Sequence, residues 1–473
     1  MNTLIAIAGL GIICLIAEIF NLRKAIVPIT LVGLLGVLGL TAVDYMNLMQ
    51  APSGEMAKGF YNNMIVINRF SLGFTGLFTV LAIFLIALSP DFHRDHKPKI
   101  SDFVAIKLFL LLGAVAMVSF GNLSMFFLGI EILSISLYVL AASEPKNLKS
   151  NEAGMKYFLM GAFASGIILF GIALIYGATG SFDTAEIYKT VVNGNLADIK
   201  MENISDLFLI GLVMLTIGLL FKMAIVPFHF WSPDVYEGSP ALSTATMSTL
   251  AKVASIAAFF KLVLSMTDQL PGHYMSIITI VIVLSMTVGN LMALKQDNVK
   301  RMLAFSGISH AGFMLMVLYN PIATAGTLYY YAAAYSLTGI AAFAVVLYVC
   351  QSKGNENIYN FNGLGKSHPM MAGILTCALL SMAGIPVFSG FFAKLFLFSE
   401  VLRTGHIAIV IIAIINSIIS VGYYFKLILA MYTKEETEKR EPLPFMYGAV
   451  ALISLLLSIA MGLNPSMITI LVK

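Results

Sequence analysis

The sequence predicts an all-α polytopic membrane protein. Of its 473 residues, 59% are hydrophobic and only 11% are charged. Apolar runs near twenty residues, the length that spans a bilayer as a helix, recur from end to end. The polar stretches between them are mostly short. Counting the runs gives about fourteen transmembrane helices, near 3–22, 26–43, 66–89, 103–120, 123–142, 154–177, 206–231, 240–265, 274–294, 299–319, 324–350, 368–402, 406–432 and 444–464. The seventh and twelfth are long and interrupted. The first span has no basic stretch before it and is followed by Arg23 and Lys24, the pattern of a retained helix.

Lysine and arginine set the orientation, because they are enriched in cytoplasmic loops. One set of loops carries fifteen of them, from Arg23 and Lys24 to Lys439 and Arg440. The other carries six: Lys58, Arg69, Lys189, Lys200, Arg403 and Lys473. The first set is expected in the cytoplasm, with both termini outside. The loops 44–65 and 178–205 are polar enough to lie outside the membrane, and Asp183, Glu186, Asp198 and Glu202 suit an outer face. The net charge of +4 comes without basic runs, so nucleic acid is not an expected partner. Cys14, Cys350 and Cys377 are isolated in apolar segments, and no Gly-rich phosphate loop appears. Any redox cofactor or nucleotide is therefore expected in other proteins, and no metal site is expected in this chain.

The two interrupted spans suggest an internal repeat. Lys222 precedes Pro227 by five residues in the seventh, and Lys394 follows Pro386 by eight in the twelfth. On the charge count the two spans run in opposite directions, and breaks at matching places in oppositely oriented halves mark inverted repeats. The expected division is 1–102 (helices 1–3), 103–265 (a first repeat, helices 4–8), 274–432 (a second, inverted repeat, helices 9–13) and 444–473 (helix 14).

A lysine inside a membrane span costs about 2.5–3.5 kcal/mol on insertion scales, so intramembrane charges point to function. Glu131 lies mid-span in helix 5 with Ser134 and Tyr138 on its face; its natural partner is Lys222. The plain alternative is a neutral acid that serves helix packing. Lys252 sits mid-span in helix 8, where Thr244, Ser248 and Lys252 recur at i, i+4 and i+8 and make a hydroxylated stripe. Lys394 is the third mid-membrane lysine. Lysine suits a relay because desolvation loosens its proton and a nearby carboxylate tightens it. His310, one turn after Ser306, can carry a proton between Lys252 and Lys394, and packing alone would also account for it. His229 follows the break at Pro227 and can serve a freed carbonyl or join the transfer. Glu18, Lys107, Lys156, Lys261 and Lys426 are within reach of helix ends and are expected to snorkel.

These residues resemble a known family. Val226-Pro-Phe-His-Phe-Trp-Ser-Pro-Asp-Val-Tyr-Glu-Gly-Ser-Pro240, Gln296-Asp-Asn-Val-Lys-Arg-Met-Leu-Ala-Phe-Ser-Gly-Ile-Ser-His-Ala-Gly312 and Gly384-Ile-Pro-Val-Phe-Ser-Gly-Phe-Phe-Ala-Lys394 are similar to stretches of the antiporter-like membrane subunits of proton-pumping NADH–quinone oxidoreductase (respiratory complex I). The likeness covers nearly the whole chain, and Asp-Val-Tyr-Glu-Gly after Trp231 resembles the subunit N type in particular. The resemblance implies that Glu131 and Lys222 form the family's ion pair. It also implies that Lys252 belongs to a central hydrophilic axis, that Lys394 is its outlet, and that His310 stands between the two. In the family's usual run two adjacent serines come before that histidine; here Gly307 follows Ser306 in the second place, leaving one hydroxyl fewer. The resemblance further implies a bacterial inner-membrane location and sister membrane subunits and small helical subunits as partners. It places NADH, flavin, iron–sulfur clusters and quinone in other subunits. A subunit of an Mrp-type cation/proton antiporter or of a membrane-bound hydrogenase is the alternative, since these share the fold and the lysine pattern.

Overall fold

The computed structural model describes residues 2–20, 22–50, 57–93, 100–193, 206–266, 272–433 and 442–465. Arg94, Lys97, Lys99, Asp198, Lys200, Glu202, Lys434, Lys439, Arg440 and Lys473 of the charge reading lie outside the described residues. Thirteen helices among the described residues are long and apolar enough to cross a membrane. The fourteenth expected crossing is the twelfth span, which comes as two helices of 15 residues each, Pro369–Ala383 and Ser389–Arg403. The only strands among the described residues form a short antiparallel hairpin, Lys58–Phe60 with Ile65–Ile67.

Several expected boundaries shift outward. The second span runs Arg23–Gln50, past the expected end at 43, because Asp44, Tyr45 and Asn47 do not stop a helix already in progress. The sixth runs Leu148–Thr179 and starts at an asparagine cap, Asn147, whose side chain accepts from the Lys149 amide. Lys156 therefore lies in the third turn of that helix.

Two ends of the bundle are knitted by polar loops. At one end the hairpin meets residues 120–122 and 181–186: Phe120 bridges Ile65, Asn122 bridges Asp183, and Asn63 donates to the Asp183 carboxylate at 3.2 Å. At the other end Asn298 bridges Asn357, buried Lys300 pairs with Glu356 at 2.8 Å, and Lys426 pairs with Asp297 at 2.8 Å.

The core lies around the eleventh span, Ala325–Lys353, whose apolar stretch is wholly enclosed by other helices. The eighth span, Ala241–Met266, and the tenth, Val299–Tyr319, are also almost entirely buried. In the first, second, sixth and thirteenth fewer than half the residues of the apolar stretch are buried, as in lipid-facing helices.

Candidate functional site

The seventh span forms a helix from Asp206 to Met223, breaks, and resumes as the short helix Trp231–Gly238. Ala224 takes φ 58° and the Val226–Pro227 peptide is cis. Carbonyls left without amide partners at such an end need donors when they are buried. The chain supplies them: Ile225 N donates to Leu220 O at 2.9 Å, and the Trp231 indole donates to Phe221 O at 3.0 Å. Val226 N donates to Ser285 Oγ of the ninth span at 3.1 Å. The indole is fixed by stacking on Tyr157, with ring centroids 4.5 Å apart.

Lys222 sits just before this break. Its amine donates to Ser134 Oγ at 2.8 Å and to the Tyr138 hydroxyl at 3.1 Å, the two groups expected on the Glu131 face of the fifth span. Glu131 accepts from Ser165 of the sixth span. The amine and the carboxylate thus meet through intervening hydroxyls and not as a direct ion pair. The hydroxyls lie nearer the amine than the carboxylate does.

Lys252 is reached next. Just before it, Met247–Ala251 form a π-helical turn. Such a turn takes up one extra residue, so the stripe expected from even spacing is not continuous. Thr244 turns back to the Tyr236 carbonyl at 3.0 Å, while Ser248 faces the Tyr335 hydroxyl at 3.4 Å. The Lys252 amine is buried with no protein hydrogen-bond partner. A cavity of about 10 Å³ lies between Lys222 and Lys252, lined also by Ser134, Tyr236 and Ser255. That is room for about one water molecule.

His310 is buried between two tyrosines. Its Nδ1 lies 2.9 Å from the Tyr331 hydroxyl and its Nε2 3.1 Å from that of Tyr424, which also bonds Ser306. Beyond it the Phe313 ring stands 6.3 Å from the histidine ring and 5.2 Å from the Lys394 amine. Lys394 donates to Ala383 O and to Ser417 Oγ, both at 2.8 Å. Ala383 ends the first half of the twelfth span, and Gly384, at φ 88°, turns the chain there. A Cβ on Gly384 would also press on the Lys394 side chain, 3.0 Å from its Cδ. Both the backbone turn and the lysine therefore call for glycine.

The structure thus brings Glu131, Lys222, Lys252, His310 and Lys394 into one polar row, in which Lys252, His310 and Lys394 are buried and Glu131 and Lys222 half-buried. His229 stands apart: its ring turns to the Pro227 backbone and its Nδ1 is buried without a hydrogen-bond partner. The sequence reading missed Ser165, Tyr331, Tyr335, Tyr424 and Ser417. The i, i+4 spacing of Tyr331 and Tyr335 was a usable signal, since it puts both hydroxyls on one face of the eleventh span.

Two of the lysines expected to snorkel do not. Lys107 is buried and donates to Ser89 Oγ at 2.7 Å and Leu85 O at 3.3 Å. Lys261 is buried and donates to Val118 O at 2.8 Å, with its amine 4.7 Å from the centre of the Phe120 ring. Nearness to a helix end along the chain says nothing about whether a neighbouring helix covers the side chain. Lys156 and Lys426 are partly exposed and paired with Glu152 and Asp297, as snorkelling residues can be. Glu18 pairs with Arg23 at 2.7 Å.

A helical membrane bundle with two broken spans and a row of amines inside it has the architecture of an ion-translocating membrane subunit. The family described as NADH:quinone oxidoreductase/Mrp antiporter, TM, matches residues 121–420. The NADH-quinone oxidoreductase subunit N of Flavobacterium johnsoniae is 61% identical, with 99% of each chain covered. A chain of respiratory complex I from Thermus thermophilus with bound aureothin superposes with a TM-score of 0.83 at 30% identity, covering 99% of this chain and 98% of that one. A chain of the Mrp complex from Dietzia sp. has the same fold, with a TM-score of 0.84 at 20% identity and coverage of 99% and 95%. The chain belongs to the NADH:quinone oxidoreductase/Mrp antiporter transmembrane family, and within it to the subunit N type.

Proposed function

We propose that this chain is a proton-translocating membrane subunit of NADH–quinone oxidoreductase, and that protons move through it by way of Lys222, Lys252, His310 and Lys394. The carrying observation is the row itself. Three intramembrane amines and an imidazole are spaced by hydroxyls and a water-sized cavity, and among the described residues only the first lies near a carboxylate. Burial disfavours charge on an amine, while a nearby carboxylate favours it. Movement of Glu131 against Lys222 therefore alters whether Lys222 keeps its proton. Lys252 receives that proton, His310 carries it onward, and Lys394 releases it.

Quinone reduction in partner subunits drives the movement of Glu131. NADH, flavin, iron–sulfur clusters and quinone are bound by those partners; among the described residues no three His, Cys, Asp or Glu side chains cluster as metal ligands. The neighbours in the membrane are sister antiporter-like subunits and small helical subunits. The location is a bacterial inner membrane, and the lysine and arginine count puts both termini on the outer side. The two broken spans support reading residues 103–265 and 274–432 as inverted repeats.

The test is purification of the tagged chain with its natural partners. Flavin, iron–sulfur absorbance and NADH–quinone activity in the preparation are the expected result. A colourless assembly of membrane subunits would move the assignment to a cation/proton antiporter, and clusters without NADH activity to a hydrogenase-type relative.

A further inference from the structure

On the wall of the bundle the fourth, fifth and sixth spans part at one end and leave a groove of about 720 Å³. That is within the size range of pockets that hold small molecules. Its floor is apolar, made by Phe103 and Ile106 of the fourth span, Val139 of the fifth, and Met155 and Phe158 of the sixth. Val139, Met155 and Phe158 are exposed, and the sixth span also exposes Leu159 and Phe163 beside them, so the groove opens on the lipid-facing wall. The rim is polar and of mixed charge. Asp102, in the first turn of the fourth span, lines it together with Ser143. Neither the Asp102 carboxylate nor the Ser143 hydroxyl has a partner among the described residues. Pro145 continues the rim, and Lys146 next to it is exposed and in no ion pair among the described residues. These groups stand at helix ends, the depth at which lipid head groups lie, and the lysine and arginine count puts this end on the cytoplasmic side.

We infer that this groove binds one zwitterionic phospholipid whose head group carries a primary ammonium. An unpaired carboxylate on the rim repels a purely anionic lipid, and an unpaired lysine beside it calls for a phosphate. A zwitterion satisfies both. The ammonium donates to the Asp102 carboxylate, a charge-assisted bond that a quaternary choline head, having no N–H, cannot make. The phosphate faces Lys146, and one acyl chain lies along the floor between the fifth and sixth spans. The groove ends at Tyr138. That ring packs edge-on against Phe158 with centroids 5.8 Å apart, and its hydroxyl accepts from Lys222 at 3.1 Å. The bound lipid therefore completes the wall behind the tyrosine that holds Lys222.

The experiment uses the intact assembly, delipidated in mild detergent. It is offered phosphatidylethanolamine, phosphatidylglycerol or phosphatidylcholine, each with the same photoreactive acyl chain, and the cross-linked residues are identified by mass spectrometry. Phosphatidylethanolamine should label Val139, Met155 or Phe158 about tenfold more than the other two at equal concentration, the scale of one hydrogen bond to a charged group. Asp102→Asn should lower that labelling about tenfold, and Val139→Trp, which fills the floor, should abolish it. Equal labelling by phosphatidylglycerol overturns the inference, as does labelling unchanged in Asp102→Asn. A density map of the wild-type assembly with a partner helix seated in the groove, or with the groove empty, overturns it as well. If the variants fail to assemble, the wild-type lipid preference and map decide. The readout is lipid binding, so the result stands apart from whether the chain moves protons.

Discussion

The two broken spans meet the same requirement with opposite means. Each must satisfy carbonyls left open where a helix ends inside the protein. In the seventh span the neutral indole of Trp231 does so, and the charged Lys222 is left to bond only hydroxyls of another helix. In the twelfth span the charge itself is the donor, as Lys394 bonds the Ala383 carbonyl and Ser417. Both breaks join buried and exposed residues: 223–226 are buried and Pro227 is exposed in the first, and 381–383 are buried and Pro386 and Val387 exposed in the second. A lysine tied to side-chain hydroxyls can exchange partners when a neighbouring helix shifts. A lysine that closes a backbone turn is held in place. The comparison teaches that the two breaks hold their lysines differently: one amine is bonded to side-chain hydroxyls of another helix, the other to the backbone turn itself.

The contrast is open to test. Lys222→Ala should lower proton pumping by about 100-fold while the assembly still forms, the scale of losing a positioned proton-transfer group. Pumping measured in sealed vesicles at equal assembly checks it; unchanged pumping would leave this chain a scaffold for other subunits. Lys394→Ala should combine a pumping defect with local loosening of about 2 kcal/mol, since hydrogen bonds from a charged group are lost. Faster amide exchange across Gly384–Phe391 is the signature, and Lys222→Ala should produce no such change at its own break. Trp231→Phe keeps the aromatic stack on Tyr157 but removes the donor to Phe221, costing about 1 kcal/mol. Here exchange should quicken at 221–225 with pumping largely kept. Smallest of all is Lys107→Met, because replacing a buried charge by an apolar chain of similar volume is often neutral. Pumping and thermal stability should both stay near wild type, separating a structural buried lysine from the four-station relay.

The lysines of the axis were legible because a charge inside an apolar run stands out, and the breaks because proline cannot continue a helix. What surrounds each lysine was not. Ser134 and Tyr138 could be placed beside Glu131 from helical spacing alone, but Ser165 and Ser417 lie on other helices, and serine is equally common at plain packing contacts. Lys107 and Lys261 were misread for the same reason, since burial by a neighbouring helix leaves no local trace. The π-helical turn before Lys252 was also invisible: Met247-Ser-Thr-Leu-Ala251 has no residue that forbids an ordinary helix. Gly307 was legible only as a missing hydroxyl. The structure gives it a location, against the Lys252 amine and the Tyr335 phenol.

The enclosed eleventh span carries a last consequence, for how the protein is made. An 18-residue stretch of Ala325–Lys353 has a mean hydropathy of 1.9 although its neighbours shield it in the finished bundle. Membrane insertion is decided segment by segment, before helices associate. During synthesis this helix must first be accepted by the bilayer on its own, with Tyr331 and Tyr335 not yet paired to their partners. Its apolar character is thus a condition of entry and not of the final environment, and the histidine's tyrosine cradle closes only after the last spans have been threaded and folded around it.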